Sequence, residues 1–231
     1  ALKGFSVTRD TMCSVSNAVH PTLDDNNAIF INYINGRKVK HFQFGWSANN
    51  TTAPFGVSSS TTESDYSGNF VDWGTAIDDG NTWRTLTSAE WEYLRAKRKN
   101  ASQLIGVGSV AGSHGLILLP DNWQSPEGIT FKSGYSDKEY SSVAFEEYQS
   151  FTAAEWAMMQ NAGAVFLPCA GFRLGTMLAY MQLGGLYWTS SPHAAYGPQF
   201  ASYFLFMCDG AGIGYDNRTG GNAVRLVKNL E

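Results

Sequence analysis

Cysteine is scarce in this chain, and so is charge. The 231 residues hold three cysteines, Cys13, Cys169 and Cys208, which cannot all pair within the chain and whose spacing matches no zinc or redox motif. Stability is therefore expected from packing, and Cys169, following Phe166-Leu167-Pro168, reads as a small buried hydrophobe. Only 16% of residues are charged and the net charge is −4, so no basic face for nucleic acid is expected. The one dense basic cluster, Arg95, Lys97, Arg98 and Lys99, falls where a helix should end and complements the negative end of its dipole. No apolar run is long enough to span a bilayer, which speaks against direct membrane insertion. The opening residues Ala1-Leu2-Lys3-Gly4 lack a signal-peptide pattern, as in either a cytoplasmic chain or a mature one.

Signals for catalysis and metal binding are equally thin. His20, His41, His114 and His193 show no HExxH or close pairing. His41 alternates with Phe42 on an expected strand, and His114 sits in Gly112-Ser113-His114-Gly115, which reads as a turn. His193 alone reads as a contact residue. Asp72, Asp78 and Asp79 beside Gly80 lack the spacing of a calcium loop and serve turns more simply. Gly210, Gly212 and Gly214 are regularly spaced, but nothing places them between a strand and a helix, so a dinucleotide site is not indicated. No catalytic residue, metal ligand or cofactor is expected.

Hydrophobic residues make up 43% of the chain and aromatics 14%, enough to bury a full core, and residues 1–231 read as one domain. Two β-rich runs, Ile29-Phe30-Ile31-Asn32-Tyr33-Ile34 and Val39-Lys40-His41-Phe42-Gln43-Phe44, flank Asn35-Gly36, whose tolerance of positive φ predicts a hairpin. Residues 47–68, rich in Ser, Thr, Asn and Gly, read as a long surface loop. Leu86-Thr87-Ser88-Ala89-Glu90-Trp91 combines an N-cap Thr, a Glu three residues on and a Leu–Trp staple. Phe151-Thr152-Ala153-Ala154-Glu155-Trp156 repeats each feature, so two helices are expected to start at Ser88 and Ala153. Each is followed by a strand ending in Leu-Pro, at Pro120 and Pro168. Two helices and a mostly antiparallel, irregular sheet give the α+β class.

The C-terminal part divides into framework and display. In Ala201-Ser202-Tyr203-Phe204-Leu205-Phe206, strand alternation sends Phe204 and Phe206 to a core together and Tyr203, Leu205 and Met207 to the other face. Trp188 is a large anchor ahead of that run, and Val224-Arg225-Leu226-Val227 is a second β-rich run after it. The Gly-, Asn- and Asp-rich residues 209–222 between them read as loop. Tyr and Asn among Ser and Gly are the mixture of paratopes, because Tyr gives large contact area at small entropic cost. The expected contact residues are His193, Tyr196, Gln199, Tyr203, Leu205, Met207, Asp209, Tyr215, Asp216, Asn217, Thr219 and Asn222, in a display segment of about 186–224.

Tyr187-Trp188-Thr189-Ser190-Ser191, the strand around Phe204, Arg218 and the closing Val-Arg-Leu-Val resemble the tail of a C-type-lectin-like family abundant in gut Bacteroidales. Some members are variable proteins of diversity-generating retroelements. The resemblance implies a C-type-lectin-like fold and no catalysis. It further implies diversified positions between fixed framework residues, with a protein or glycan on a cell or phage surface as partner, and a place outside the cytoplasm. It also implies pairing of the first and last strands, Phe5-Ser6-Val7 beside Val224-Arg225-Leu226. Adenine-directed mutation of Asn-type codons yields neither Lys nor Glu, and residues 186–227 contain neither, although Gln199 and Met207 also fall outside the accessible set. Trp83-Arg84-Thr85-Leu86-Thr87-Ser88-Ala89-Glu90-Trp91-Glu92-Tyr93-Leu94 resembles a scaffold motif of the formylglycine-generating enzyme group, which shares that fold. An oxidase of that type, needing paired active-site cysteines, and a structural or fimbrial surface component are the alternative readings. The calcium-binding and sugar-binding triplets and the disulfide of animal C-type lectins are missing.

Overall fold

The computed structural model describes residues 83–228 except 175, 176, 198, 199 and 219, together with four short strands upstream. Phe5 to Val7, Cys13, His20, His41, the loop 47–68, Asp72, Asp78, Asp79, Gln199 and Thr219 lie outside the described residues. Strands β1 (Thr22–Asp24) and β2 (Asn27–Ile29) form one antiparallel pair, and β3 (Ile31–Ile34) and β4 (Arg37–Lys40) form another. The second pairs the chain on either side of Asn35-Gly36, with Ile34 opposite Arg37, the register that the expected hairpin requires.

From β5 (Trp83–Thr85) the chain enters helix α1 (Ser88–Glu92) through the expected capping box. The Glu90 N–H donates to Thr87 Oγ1 at 3.2 Å, and Glu90 Oε2 accepts from the Thr87 N–H at 2.8 Å. Leu86 and Trp91 are buried in one cluster, as a staple requires. A π-helical turn, Tyr93–Lys97, extends the helix and carries Arg95 and Lys97 in its last turn, where the expected complement to the dipole lies. Arg95 turns back onto Glu92 at 2.7 Å, while Arg98 is buried. Arg98 donates to the carbonyls of Leu94 (2.9 Å), Leu119 (2.7 Å) and Leu104 (3.0 Å), tying the end of the helix to two later segments.

Strands β6 (Ile105–Val110) and β7 (Ser113–Leu118) follow as an antiparallel pair. Next come α2 (Val143–Tyr148), β8 (Ser150–Phe151), α3 (Ala153–Asn161) and β9 (Val165–Pro168). The sheet order is β8-β6-β7-β9, with β8 parallel to β6 and β9 antiparallel to β7. Helix α3 starts through the same box as α1, from Thr152 and Glu155. Helix α2 is a third helix, unannounced in sequence because Ser142 makes no side-chain cap, and it is held by buried Ala144 and Phe145. His114 is not in a turn. The turn is Ala111-Gly112, and His114 is a β7 residue stacked on Phe145 at 5.4 Å, with Nδ1 3.0 Å from the Gln182 carbonyl oxygen.

The C-terminal sheet contains β10 (Ala170–Leu174), β11 (Met177–Met181), β12 (Gly184–Pro192), β13 (Phe200–Met207) and β14 (Gly210–Asn217) in the order β11-β10-β12-β13-β14. β15 (Gly221–Asn222) pairs with β10, and β16 (Leu226–Lys228) pairs with β5. The described partner of the last strand is thus Trp83–Thr85. The Gly-rich residues 209–222, expected as loop, are largely strand. β14 pairs with all of β13, because the inter-strand ladder outweighs the weak strand preference of glycine.

One large cluster joins the two sheets, with Leu86, Trp91, Val107, Leu116, Leu167, Tyr187, Phe204, Phe206 and Val227 among its members. Gly185 is required there, since a Cβ on it would come within 2.4 Å of the Phe206 ring. Helices and mostly antiparallel strands packed on a shared core make the chain an α+β protein. No helix among the described residues is long and apolar enough to cross a membrane.

Candidate functional site

Strand β13 separates the two roles. From Ser202 to Met207 its burial alternates residue by residue, with Phe204 (1% exposed) and Phe206 (0%) on one face and half-buried Tyr203, Leu205 and Met207 on the other. Phe204 stacks flat on Trp91 of α1, with centroids 4.6 Å apart and planes within 1°. Tyr187 lies over Phe206 at 6.1 Å. Trp188 is fully buried, and its Nε1 donates to the Gly220 carbonyl at 3.1 Å. These groups fix the main chain on which the neighbouring side chains stand.

Residues directly opposite in an antiparallel pair share a face, and Tyr215 stands opposite Ser202. Tyr215 therefore belongs to the Phe204 face and not to the Tyr203 face. It lies past the end of the core, where that face emerges at the surface. There four aromatic rings gather. His193 stacks on Tyr215 at 4.2 Å and 7°, and Tyr196 stacks on Tyr215 at 4.6 Å and 13°. Phe200 meets both tyrosines edge-on at 6.1 Å. Tyr196 is 56% exposed and Tyr215 41%, and a hydrogen bond between their side chains, helped by partial desolvation, pushes the Tyr215 phenol above its ordinary value. Phe200 escaped the sequence reading, although the period-two run Phe200, Ser202, Phe204, Phe206 carried the signal.

On the opposite face, Tyr203 meets the buried Trp188 edge-on at 6.2 Å. Its phenol is pushed up by burial and, further, by Asp216 and Tyr180. Gly214, directly opposite Tyr203, is required there because a Cβ would come within 2.6 Å of the tyrosine ring. Asp216 is half-buried, and burial raises its carboxyl while Oδ1 accepts the Asn217 N–H at 2.7 Å. Tyr180, 38% exposed and at φ +58°, had no sequence signal, because its position follows from the irregular β10–β11 pairing.

The expected contact residues thus fall into three sets. His193, Tyr196 and Tyr215 form one cluster with Phe200. Tyr203, Leu205, Met207 and Asp216 share the other face of the hairpin, with exposed Asp209 at its turn, whereas Asn217, opposite Phe200 at the end of β14, falls on the face of the aromatic cluster. Asn222 is set apart from both: it is buried, 9% exposed, because β15 is drawn into the ladder beside β10.

Cys169 and Cys208 are both buried, and Cys208 Sγ donates to the Lys138 carbonyl at 2.9 Å. Burial, and after it the neighbouring Cys208, pushes the Cys169 thiol far above its ordinary range, so it stays a protonated core group. Among the described residues no three His, Cys, Asp or Glu side chains gather as metal ligands would. No protein-family model, curated protein or solved structure matches the chain.

Proposed function

We propose that this chain is a non-catalytic recognition protein with a C-type-lectin-like scaffold, a diversity-generating retroelement variable protein or a close relative. It binds a protein or glycan on a cell or phage surface through side chains between Trp188 and Val224. The supporting observation is the aromatic cluster of His193, Tyr196, Phe200 and Tyr215, continuous with a buried aromatic core on the same strand face. Rigid stacked rings offer large apolar contact area with little conformational entropy left to lose, which suits a paratope. Affinity then varies with the identity of the exposed groups, while Trp91, Phe204 and Phe206 hold the backbone.

The test pairs stability with binding. The Tyr196→Ala/Tyr215→Ala double variant is expected to unfold within about 0.5 kcal/mol of the parent. Phe204→Ala is expected to lose about 3–5 kcal/mol. On arrays of surface glycans and purified surface proteins, any signal of the parent should disappear with the tyrosines. A tyrosine variant as unstable as the Phe204 variant would put those rings in the framework and end the reading.

A further inference from the structure

One side of the C-terminal sheet ends in unpaired backbone. Strand β14 is outermost there, bonded to β13 on one side and, among the described residues, to no strand on the other. Which of its groups face outward follows from the turn that precedes it. Cys208-Asp209 is a two-residue turn closed by Met207 and Gly210, so that pair is a hydrogen-bonded one and the pattern alternates from it. Gly210, Gly212, Gly214 and Asp216 therefore bond to β13, while Ala211, Ile213, Tyr215 and Asn217 turn N–H and C=O outward. Asn217 agrees, since its N–H donates to Asp216 Oδ1 at 2.7 Å and its carbonyl accepts from the Gly220 N–H at 2.9 Å. With Asn217 occupied, Ala211, Ile213 and Tyr215 remain, each with an open N–H and an open C=O. Ile213 is 38% exposed and Tyr215 41%.

An exposed edge is a template for another strand, and proteins that do not use one blunt it with Lys, Pro, a bulge or a short strand. β14 has none of these devices. It is 8 residues long, contains neither Lys nor Pro, and keeps register with β13 throughout. Gly212 is a second, independent sign. A Cβ there would meet nothing within 4 Å, and its φ is not positive, so neither packing within the chain nor backbone conformation requires glycine. Glycine inside a strand weakens it, and it suits a place where another backbone comes close.

We propose that β14 is the two-fold interface of a homodimer, pairing antiparallel with β14 of a second copy about Ile213. That register is self-complementary. The open residues are spaced evenly about Ile213, so Ile213 meets its own counterpart, Ala211 meets Tyr215, and each opposed pair exchanges both backbone bonds. Small thus faces large at both ends of the contact. On the other face of the sheet Gly212 lies opposite Gly214, and Asp216, the one charge in the strand, lies opposite Gly210, so like charges do not meet. This symmetry favours a second copy over an unrelated strand. Pairing with the opposite edge, β11, would instead run on as a polymer, and Tyr180 at φ +58° breaks the extended course of that strand. In the dimer both aromatic clusters emerge on one face, with their Tyr215 residues about 14 Å apart along the strands at ~3.4 Å per residue. The pairing does not depend on what the clusters bind.

The contact is small, so a reversible dimer is expected, with a Kd between roughly 1 µM and 1 mM. Sedimentation of the full chain across that range should show monomer passing into dimer and nothing larger. Ile213→Lys sets two like charges opposite each other and should weaken the dimer at least about tenfold, while melting like the parent. Under mild oxidation Ile213→Cys should give a covalent dimer, because opposed Cα atoms in a hydrogen-bonded pair lie ~5.5 Å apart, within disulfide reach. Ala211→Cys, which faces Tyr215 and not itself, should not, and neither should the parent. Should Ile213→Lys not fold, this cross-linking pair carries the test. Monomer at every concentration, open-ended polymers, a dimer indifferent to Ile213→Lys, or Ala211→Cys cross-linking as readily as Ile213→Cys would overturn the proposal.

Discussion

Helices α1 and α3 start from the same six-residue pattern, yet the molecule uses them differently. Both have a Thr cap, a Glu closing the box, and a Trp at the next position. At α1, Glu90 also takes both guanidinium nitrogens of Arg84 at 2.6 and 2.8 Å, and Trp91 is 2% exposed and stacked on Phe204. The Ser88 N–H donates to Ser191 Oγ at 3.0 Å, and Leu86 accepts from the Ser190 N–H at 3.0 Å, so this helix start is bound to the C-terminal sheet. At α3, Glu155 bonds only within the box among the described residues, and Trp156 is half-buried beside Phe166 at 5.7 Å. A local motif sets where a helix begins, and its tertiary partners set how much depends on it.

The widest separation is expected at the two tryptophans. Trp91→Ala removes a wall shared by the core and β13 and should cost about 3–5 kcal/mol in chemical denaturation. Trp156→Ala should cost about 1–2 kcal/mol, since less of its surface is removed from water. Equal losses would erase the distinction between the helices.

Acid is the next way to sharpen it. Burial works to raise the Glu90 carboxyl, but the Arg84 and Thr87 hydrogen bonds outweigh it and leave the group below its ordinary value of 4.5. A depressed carboxyl contributes stability that is complete above its unfolded value and is lost as pH falls through the folded one. Melting curves of the parent should therefore decline below about pH 4.5 more steeply than those of Glu90→Gln, which should be about 1.5 kcal/mol less stable at pH 7. Glu155→Gln should show the same sign with a smaller effect, because solvent screens that box. A Glu90 variant that matches the parent from neutral to acid would show that the Arg84 pair adds nothing.

The smallest difference is expected at the caps. Thr87→Ala should cost about 1 kcal/mol and Thr152→Ala about 0.5 kcal/mol, read by urea denaturation. A larger loss at Thr152 would reverse the ranking.

How much was legible follows from the range of each interaction. The hairpin at Asn35-Gly36, both capping boxes and the alternation of Phe204 and Phe206 were readable because each is written within a few residues. Helix α2 was hidden because it has no cap, and β14 because its glycines owe their strand state to β13. Tyr215 was assigned to the display segment, but its face was not, since face depends on register with Ser202.

By itself the sequence determined the α+β class, the starts of α1 and α3 and the inward set of β13, all set by side-chain period and local hydrogen bonds. Only the tertiary structure decided that His193, Tyr196, Phe200 and Tyr215 meet in one stack and that buried Arg98 finds carbonyls for its donors. Those outcomes depend on which distant backbone arrives beside each side chain, and no stretch of neighbouring residues carries that information.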